Sequence, residues 1–372
     1  INMHGDLALL ASNQYSKAKR LNPAVCGSGL FMEAIEQNPV YYELAFEMPC
    51  HPDSIDLRAW LKQYATRRYG AFSPATQKAW MLLLEGPYRQ GTNGTEKSSI
   101  VAARPALDVK KSGPNAGLEI PYDPALIIRA QSLLLEDADK LSASRPYRFD
   151  LVDVQRQMMT NLGQLIHRKA AEAFRSKDRE AFTLHSGRFL GMLADMDTLL
   201  RTRSEYSFDR WLTEARSWGE TEEEKNQMER DATSLVTIWG ADGDPRIFDY
   251  SWREWAGLIN GYYLPRWQKF YTMLQQHLDE GTSYEEAGLP QIYGREAFRA
   301  NDFYHTLAEW ELSYVDTYGK ARIPATEGDE VDIVKRLFKK YFKLSQEYYT
   351  DSIKLIKPSR DERTYENLGE DL

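Results

Sequence analysis

The stretch "YRFDLVDVQRQMMTNLGQLIHRKAAEAFRS", residues 147–176, decides the fold class. Its apolar residues recur at helical intervals of three and four positions and form a single stripe, which is the pattern of an amphipathic helix. The same pattern continues in residues 123–139, 178–202 and 207–219. We therefore predict that the middle of the chain is a bundle of helices.

Two shorter helices are predicted before this bundle. In "DLRAWLKQYATRRYG", residues 56–70, the apolar positions have helical spacing, and Gly70 supplies a C-terminal cap. The next helix begins with Ser73 as its N-cap and Pro74 at its first position. An amphipathic helix with one basic face is also expected at residues 329–354.

Three other stretches lack helical periodicity. Residues 88–122 and 239–252 are rich in glycine, proline and polar residues, so we predict irregular connections there. Connections as long as the first are uncommon unless they are functional or disordered. The segment "NPAVCGSGLF", residues 22–31, has the composition of a buried strand and its loop. A strand, a loop and a helix in that order are a piece of α/β structure at the amino end.

Composition excludes several classes of function. The chain has 372 residues, 42% hydrophobic and 27% charged, with a net charge of −8, which argues against a nucleic-acid-binding groove. No apolar run approaches the roughly 18 residues that cross a bilayer. The chain opens on Ile1 without a basic and apolar leader, so we expect that any targeting segment was removed or lay outside this piece.

Cysteine and histidine usage argues against a metal site. Cys26 and Cys50 are the only cysteines, which excludes a disulfide-rich scaffold and a four-cysteine zinc site. One disulfide is left open, but two free, buried thiols are favoured. The six histidines are scattered and form no metal-binding motif. We therefore expect no metal and no cofactor.

Some residues have both a functional and a structural interpretation. Glu33 follows the predicted strand and precedes a helix, where a carboxylate can act as nucleophile or general acid. Its position alone favours a helix-start glutamate stabilised by the helix dipole. Trp239 and Tyr250 flank an irregular loop, which suits sugar binding, although aromatic residues at helical spacing are more often core. Asp153 and Arg156 are expected to form a structural ion pair.

One segment is more specific than these arguments. "GSGLFMEAIEQNPVYYEL", residues 27–44, resembles the segment of glycoside hydrolase family 89, the α-N-acetylglucosaminidases, that follows a glycine-rich strand end. Further stretches resemble the same family in the same order along the chain: "TRRYG", "ARPAL", "FDLVDVQRQ", "IWG" with "FDY", and "LINGYYLPRW". The agreement in order, as far as Trp267, makes a chance similarity improbable.

The resemblance implies a fold and a reaction. The family has a small amino-terminal domain, a (β/α)8-like barrel and a carboxyl-terminal all-α domain beside the active site. Residues 1–55 would be the terminal part of the barrel and residues 56–372 the all-α domain, so the chain is expected to be mainly α. The family removes terminal N-acetyl-α-D-glucosamine from glycans with retention, using two carboxylates and no metal.

The resemblance also assigns site residues. Glu33 matches the nucleophile, whereas the acid/base glutamate of the family belongs upstream of Ile1. Trp239, Ile247 and Tyr250 match residues around the sugar and its acetamido group. Glu96 is matched to a contact with a sugar hydroxyl, with a solvated loop glutamate as an equal alternative.

An alternative function remains open. Aromatic content would equally support a non-catalytic carbohydrate-binding or scaffold helical domain. The expected partners are the glycan substrate and the missing amino-terminal part of the same protein, and a homo-oligomer is left open. An extracytoplasmic location follows from the family's substrates and not from any signal in this sequence.

Overall fold

The computed structural model describes most of the chain. The described residues are 2–31, 38–89, 97–113, 117–240, 248–284, 286, 302–320 and 325–349. Their first seven α-helices are α1 Leu7–Ala11, α2 Gln14–Leu21, α3 Pro39–Glu47, α4 Leu57–Tyr69, α5 Pro74–Glu85, α6 Pro124–Glu136 and α7 Ala138–Leu141. The others are α8 Arg145–Arg175, α9 Arg179–Leu200, α10 Phe208–Arg216, α11 Glu222–Leu235, α12 Leu264–Glu280, α13 Asp302–Asp316 and α14 Glu330–Tyr348.

Helix α8 is the centre of the bundle, as the opening stretch predicts. It is buried along most of its length and packs against α9, α6 and α14. Lys177, with a left-handed φ of 60°, turns the chain after α8, and the side chain of Asp178 then accepts a hydrogen bond from the Ala181 backbone to cap α9. The predicted bundle is therefore confirmed.

The predicted ends of α4 and α5 are also confirmed. The Asp56 side chain caps the first turn of α4, and Gly70 ends this helix in the left-handed conformation, with a φ of 76°. Ser73 caps α5 by accepting a hydrogen bond from the Thr76 backbone, and Pro74 is its first residue. These ends follow from local chemistry, so the sequence alone locates them.

The predicted strand at residues 22–31 is wrong. This segment has no regular structure, and the part of the chain that the structure describes contains isolated bridges but no strand. A strand is held by hydrogen bonds to a neighbouring strand, and none of the described residues offers one here. The mainly α fold is therefore confirmed, the α/β portion is not seen, and the division into residues 1–55 and 56–372 stays a prediction.

The prediction of buried cysteines is also wrong. Both thiols are free and exposed. Cys26 lies in the extended segment that includes Phe31, a residue whose side chain is fully exposed. Cys50 ends a turn of 3-10 helix, Met48–Cys50, whose first residue is buried. Cys26 is therefore exposed together with most of its segment, whereas Cys50 is exposed at the end of a turn that starts in the core.

The predicted irregular connections are confirmed where they are described, and they are unexpectedly buried. Residues 97–113 run against the bundle, and Ile100–Ala103 are almost completely inaccessible to solvent. Residues 248–258 lead into a turn of π-helix, Ile259–Tyr263, that continues directly into α12. We call these two segments, 97–113 and 248–258, the loop layer. Among the described helices, none combines the length and apolarity that a bilayer crossing needs.

Candidate functional site

The predicted site residues fall into two groups. Trp239 and Tyr250 are described by the structure. Glu33, Glu96 and Ile247 lie outside the described residues, so the structure does not test their assignments. The site is therefore built from the aromatic pair, Trp239 and Tyr250, and from the described residues around it.

The aromatic pair is in direct contact. The two ring centroids are 4.7 Å apart and the ring planes are inclined by 45°. Both residues are only partly buried, although they adjoin buried Ile238 and Asp249. Two partly exposed rings in contact present an apolar surface of the kind that can pack on the C–H face of a sugar.

Local backbone geometry fixes the position of Trp239. It follows α11 and has a left-handed φ of 57°, which is rare for a bulky residue. Its backbone N–H donates to the Ser234 carbonyl at 2.6 Å, and the Asp249 N–H donates to the Thr237 carbonyl at 2.7 Å. These bonds join the end of α11 to the segment that carries Tyr250. Such backbone outliers persist only where the surrounding structure imposes them, and they are concentrated at functional sites.

Asn38, which immediately precedes α3, is anchored by hydrogen bonds. This residue has a φ of 47°, and its side-chain oxygen accepts hydrogen bonds from the His4 backbone and the Tyr88 hydroxyl, both at 3.0 Å. Its amide group also donates to the Asn2 carbonyl at 3.5 Å. The amino-terminal residues and the start of α3 are therefore held together.

A series of direct contacts leads from this anchor to the aromatic pair. The Asn2 side chain donates to the carbonyls of Lys97, at 2.7 Å, and Ser98, at 3.2 Å. The Ser98 hydroxyl donates to the Ser112 carbonyl at 3.0 Å. The next residue, Gly113, packs so tightly against Asp249 and Tyr250 that an added Cβ would lie 2.6 Å from the Asp249 carbonyl oxygen. The series therefore ends at the backbone of Tyr250.

Three described residues of this region follow the undescribed stretches in the sequence. Asn38 follows the Glu33 segment, Lys97 follows Glu96, and Phe248 follows Ile247. The structure thus places Lys97, Phe248 and Asn38, which is five positions after Glu33, in the region between α3 and the aromatic pair.

A buried charge cluster lies beneath Tyr250. It consists of Arg104, Asp249, Arg266 and Glu311, whose side chains are all at most 1% exposed. Two arginines balance two carboxylates, so burial leaves no net charge. Burial raises the pKa of Asp249 to about 6, against the opposing effect of Arg266. The cluster connects the loop layer to α12 and α13.

A second buried cluster confirms the predicted pair of Asp153 and Arg156. Their nitrogen–oxygen distance is 2.7 Å, and Arg156 also contacts Glu254 of the loop layer. The hydroxyls of Ser99 and Thr160 donate to the same Glu254 carboxylate, at 2.5 and 2.8 Å. Burial acts to raise the pKa of Glu254, but Arg156 holds it below its usual value. Every group in this cluster is paired, which indicates a structural role.

The described residues offer no metal site. In the ranges that the structure describes, no group of three or more histidine, cysteine, aspartate or glutamate side chains could hold a metal ion. The carboxylates that are buried here are paired with arginines instead, as the two clusters show.

The residues of the loop layer and of α12 that surround the aromatic pair were not predicted from the sequence. Gly113, Asp249, Arg266 and Glu254 belong to no recognisable catalytic motif. Asp249 and Arg266 do occur in "FDY" and "LPRW", where a charge stands among apolar and aromatic residues. A charged residue in such a context is expected to be buried and paired, and this signal could have identified them.

Comparisons with known proteins identify the family of this chain. The model of the "Alpha-N-acetylglucosaminidase (NAGLU) C-terminal domain" family matches residues 60–340. Human alpha-N-acetylglucosaminidase is 32% identical over 344 residues, which cover 90% of this chain and 43% of the human protein. The chain therefore spans less than half the length of that relative.

Solved structures of a bacterial relative have the same fold. A family 89 glycoside hydrolase from Clostridium perfringens, in complex with PUGNAc, superposes with a TM-score of 0.80 at 27% identity, over 91% of this chain and 38% of that one. The same organism's enzyme, with two Glu-to-Gln substitutions and in complex with its substrate GlcNAc-alpha-1,4-galactose, gives a TM-score of 0.81 over 93% of this chain. From these matches, the chain belongs to glycoside hydrolase family 89 and contains the C-terminal domain region of an α-N-acetylglucosaminidase.

Proposed function

We propose that this chain is the C-terminal portion of a retaining glycoside hydrolase that removes terminal N-acetyl-α-D-glucosamine from glycans. Family membership supports the reaction class, and the bacterial relative binds GlcNAc-alpha-1,4-galactose as its substrate. The observation that carries the proposal for this chain is the contact series from Asn38 to the aromatic pair. It joins Asn38, five positions after Glu33 in the sequence, to two partly exposed rings.

In this proposal Glu33 is the nucleophile. Its carboxylate attacks the anomeric carbon as the leaving-group oxygen is protonated, and water then hydrolyses the glycosyl-enzyme intermediate. Retention needs a second carboxyl group about 5–5.5 Å away. That acid/base glutamate belongs to the barrel upstream of Ile1, so the isolated chain is expected to be inactive. The mechanism requires no metal and no cofactor.

The aromatic pair binds the sugar. Trp239 and Tyr250, together with Ile247, surround the ring and its acetamido group, and Glu96 accepts a hydrogen bond from a sugar hydroxyl. We place the enzyme outside the cytoplasm because that is where glycans of this kind occur.

A second candidate function is a non-catalytic carbohydrate-binding or scaffold domain. The partly exposed aromatic pair supports sugar binding with or without catalysis. The two functions differ in Glu33, since a binding domain has no need of a nucleophile there. Both functions predict that the aromatic pair binds sugar, which the next experiment tests. Only the hydrolase also cleaves the glycosidic bond.

The experiment is binding of PUGNAc to the full-length enzyme by calorimetry. Tyr250→Ala and Trp239→Ala are each expected to raise the Kd by about tenfold, or about 1.4 kcal/mol, because each removes a ring from the sugar surface. Trp218→Ala is the control, since this tryptophan is 84% exposed and lies outside the aromatic pair. Unchanged affinity in both ring variants would show that the pair does not line the sugar site.

A further inference from the structure

Tyr250 depends on its neighbour Asp249 for its position. Asp249 has a left-handed φ of 59° and a side chain that is inaccessible to solvent. An aspartate in this backbone conformation is uncommon, and a buried carboxylate is costly unless it is paired. Both features require a partner that holds Asp249 in place.

Arg266 is that partner. Its Nη1 lies 3.1 and 2.9 Å from the two carboxylate oxygens of Asp249, and its Nη2 donates to the Ala102 carbonyl at 2.7 Å. One guanidinium group therefore binds both segments of the loop layer. Arg266 is in the first turn of α12, so the loop layer is tied to a regular helix.

The other members of the charge cluster fix the guanidinium group in turn. Glu311 of α13 accepts from Arg266 Nη1 at 3.0 Å and from Arg104 Nη2 at 2.8 Å. The guanidinium carbon of Arg266 also lies 4.5 Å from the ring centre of Tyr262 and 5.2 Å from that of Tyr263. Arg266 is thus held by contacts on several sides and cannot change position without breaking them.

Gly113 lies against the Asp249–Tyr250 backbone. Because an added Cβ would lie 3.3 Å from the Tyr250 Cα and closer still to Asp249, the backbone of Asp249–Tyr250 has no room to move towards residue 113. The segment is therefore confined between Gly113 and Arg266, while the Tyr250 ring projects towards Trp239.

We infer that Arg266 is a positioning residue for sugar binding: by holding Asp249, it sets the position of the Tyr250 ring against Trp239. This inference rests on the proposed function, since it assigns a role at the same site. Arg266 is covered by the cluster and does not touch the sugar. Its loss therefore acts on substrate affinity through Tyr250.

The test compares two Asp-to-Asn variants of the full-length enzyme. Asp249→Asn is expected to raise KM for an aryl N-acetyl-α-glucosaminide and the Kd for PUGNAc by at least about tenfold, with kcat changed by less than about threefold. Asp150→Asn is the matched control. Asp150 is also buried and bound by an arginine, Arg68, with nitrogen–oxygen distances of 2.7 and 2.8 Å. It lies in α8, outside the loop layer, so KM is expected to stay within about twofold.

Each result has a definite meaning. If both variants fold and raise KM equally, Arg266 and Asp249 act only on the fold and the inference is wrong. If Asp249→Asn does not fold, Arg266→Lys keeps the charge but loses the Nη2 bond to the Ala102 carbonyl, and Arg68→Lys is its control. If Tyr250→Ala and Trp239→Ala change the affinity for PUGNAc while the Asp249 and Arg266 variants do not, the inference fails and the proposed function stands. If the ring variants also have no effect, the proposed sugar site itself is wrong.

Discussion

Two buried arginine–aspartate pairs have the same chemistry and different surroundings. Arg68 binds Asp150 between α4 and α8, where the Tyr69 hydroxyl also donates to the carboxylate at 2.8 Å. Arg266 binds Asp249 between α12 and the loop layer. The first pair joins two helices that already pack by their apolar faces, whereas the second holds a non-helical segment that supplies a ring to the candidate site. The comparison suggests that helix-to-helix contacts determine stability and helix-to-loop contacts determine ligand affinity.

The largest effect on stability is expected at a histidine between two helices. His167 of α8 is buried, with its Nδ1 2.9 Å from the Tyr271 hydroxyl of α12 and its ring 4.8 Å from that of Trp267. Burial lowers the pKa of His167 to about 4. An unfolded histidine has a pKa near 6.5, so the unfolded state binds the proton more tightly. Stability is therefore fully present above about pH 6.5 and falls by about 3 kcal/mol as the pH drops to about 4.

The measurement is urea unfolding of the wild type and His167→Gln between pH 7 and pH 4. Glutamine retains a polar partner for Tyr271 but has no titrating group in this range, so the variant should lose about 3 kcal/mol less stability on acidification. Equal acid sensitivity in the two proteins would show that His167 is not the titrating group. PUGNAc affinity at neutral pH should remain unchanged, because His167 packs on rings of α9 and α12 and approaches the loop layer at Ala106 and Leu107 rather than at Gly113 or Asp249.

A smaller effect is expected in the loop layer, where Gly113 can be compared with Gly70 at the end of α4. Gly113 and Gly70 both have left-handed backbones, with φ of 71° and 76°, but an added Cβ at Gly70 would meet no atom within 4 Å. Alanine at either position is expected to cost about 1–2 kcal/mol from backbone strain. Gly113→Ala should in addition displace Asp249 and Tyr250 and raise the Kd for PUGNAc by about fivefold, or about 1 kcal/mol.

Thermal unfolding measures the loss of stability, and calorimetry measures the change in PUGNAc affinity. Gly70→Ala should lower stability without changing affinity. If Gly113→Ala also leaves affinity unchanged, the close approach to Asp249 has no bearing on the candidate site, and the comparison between the two regions fails.

The helices could be predicted from the sequence because their signals are local. The stripe of α8, the Ser73 and Pro74 start of α5 and the Gly70 end of α4 each depend on residues within a few turns. The strand at 22–31 was predicted wrongly, because strand formation depends on a partner strand that local composition does not reveal.

The candidate site was predictable only in part. Trp239 and Tyr250 were identified by their resemblance to the family, and the structure shows their rings in contact. Gly113 and Arg266 position these rings, and they lie 136 positions before and 17 positions after Asp249 in no regular pattern of the sequence. Their roles arise only when the chain folds. Long-range contacts of this kind carry no periodic signal.

The central claim is that this chain supplies the nucleophile of a retaining α-N-acetylglucosaminidase. Its most direct test is hydrolysis of an aryl N-acetyl-α-glucosaminide by the full-length enzyme and by its Glu33→Gln form, with circular dichroism to confirm that both are folded. We predict near-complete loss of hydrolysis with the fold and PUGNAc binding retained. A Glu33→Gln enzyme as active as the wild type would contradict the account.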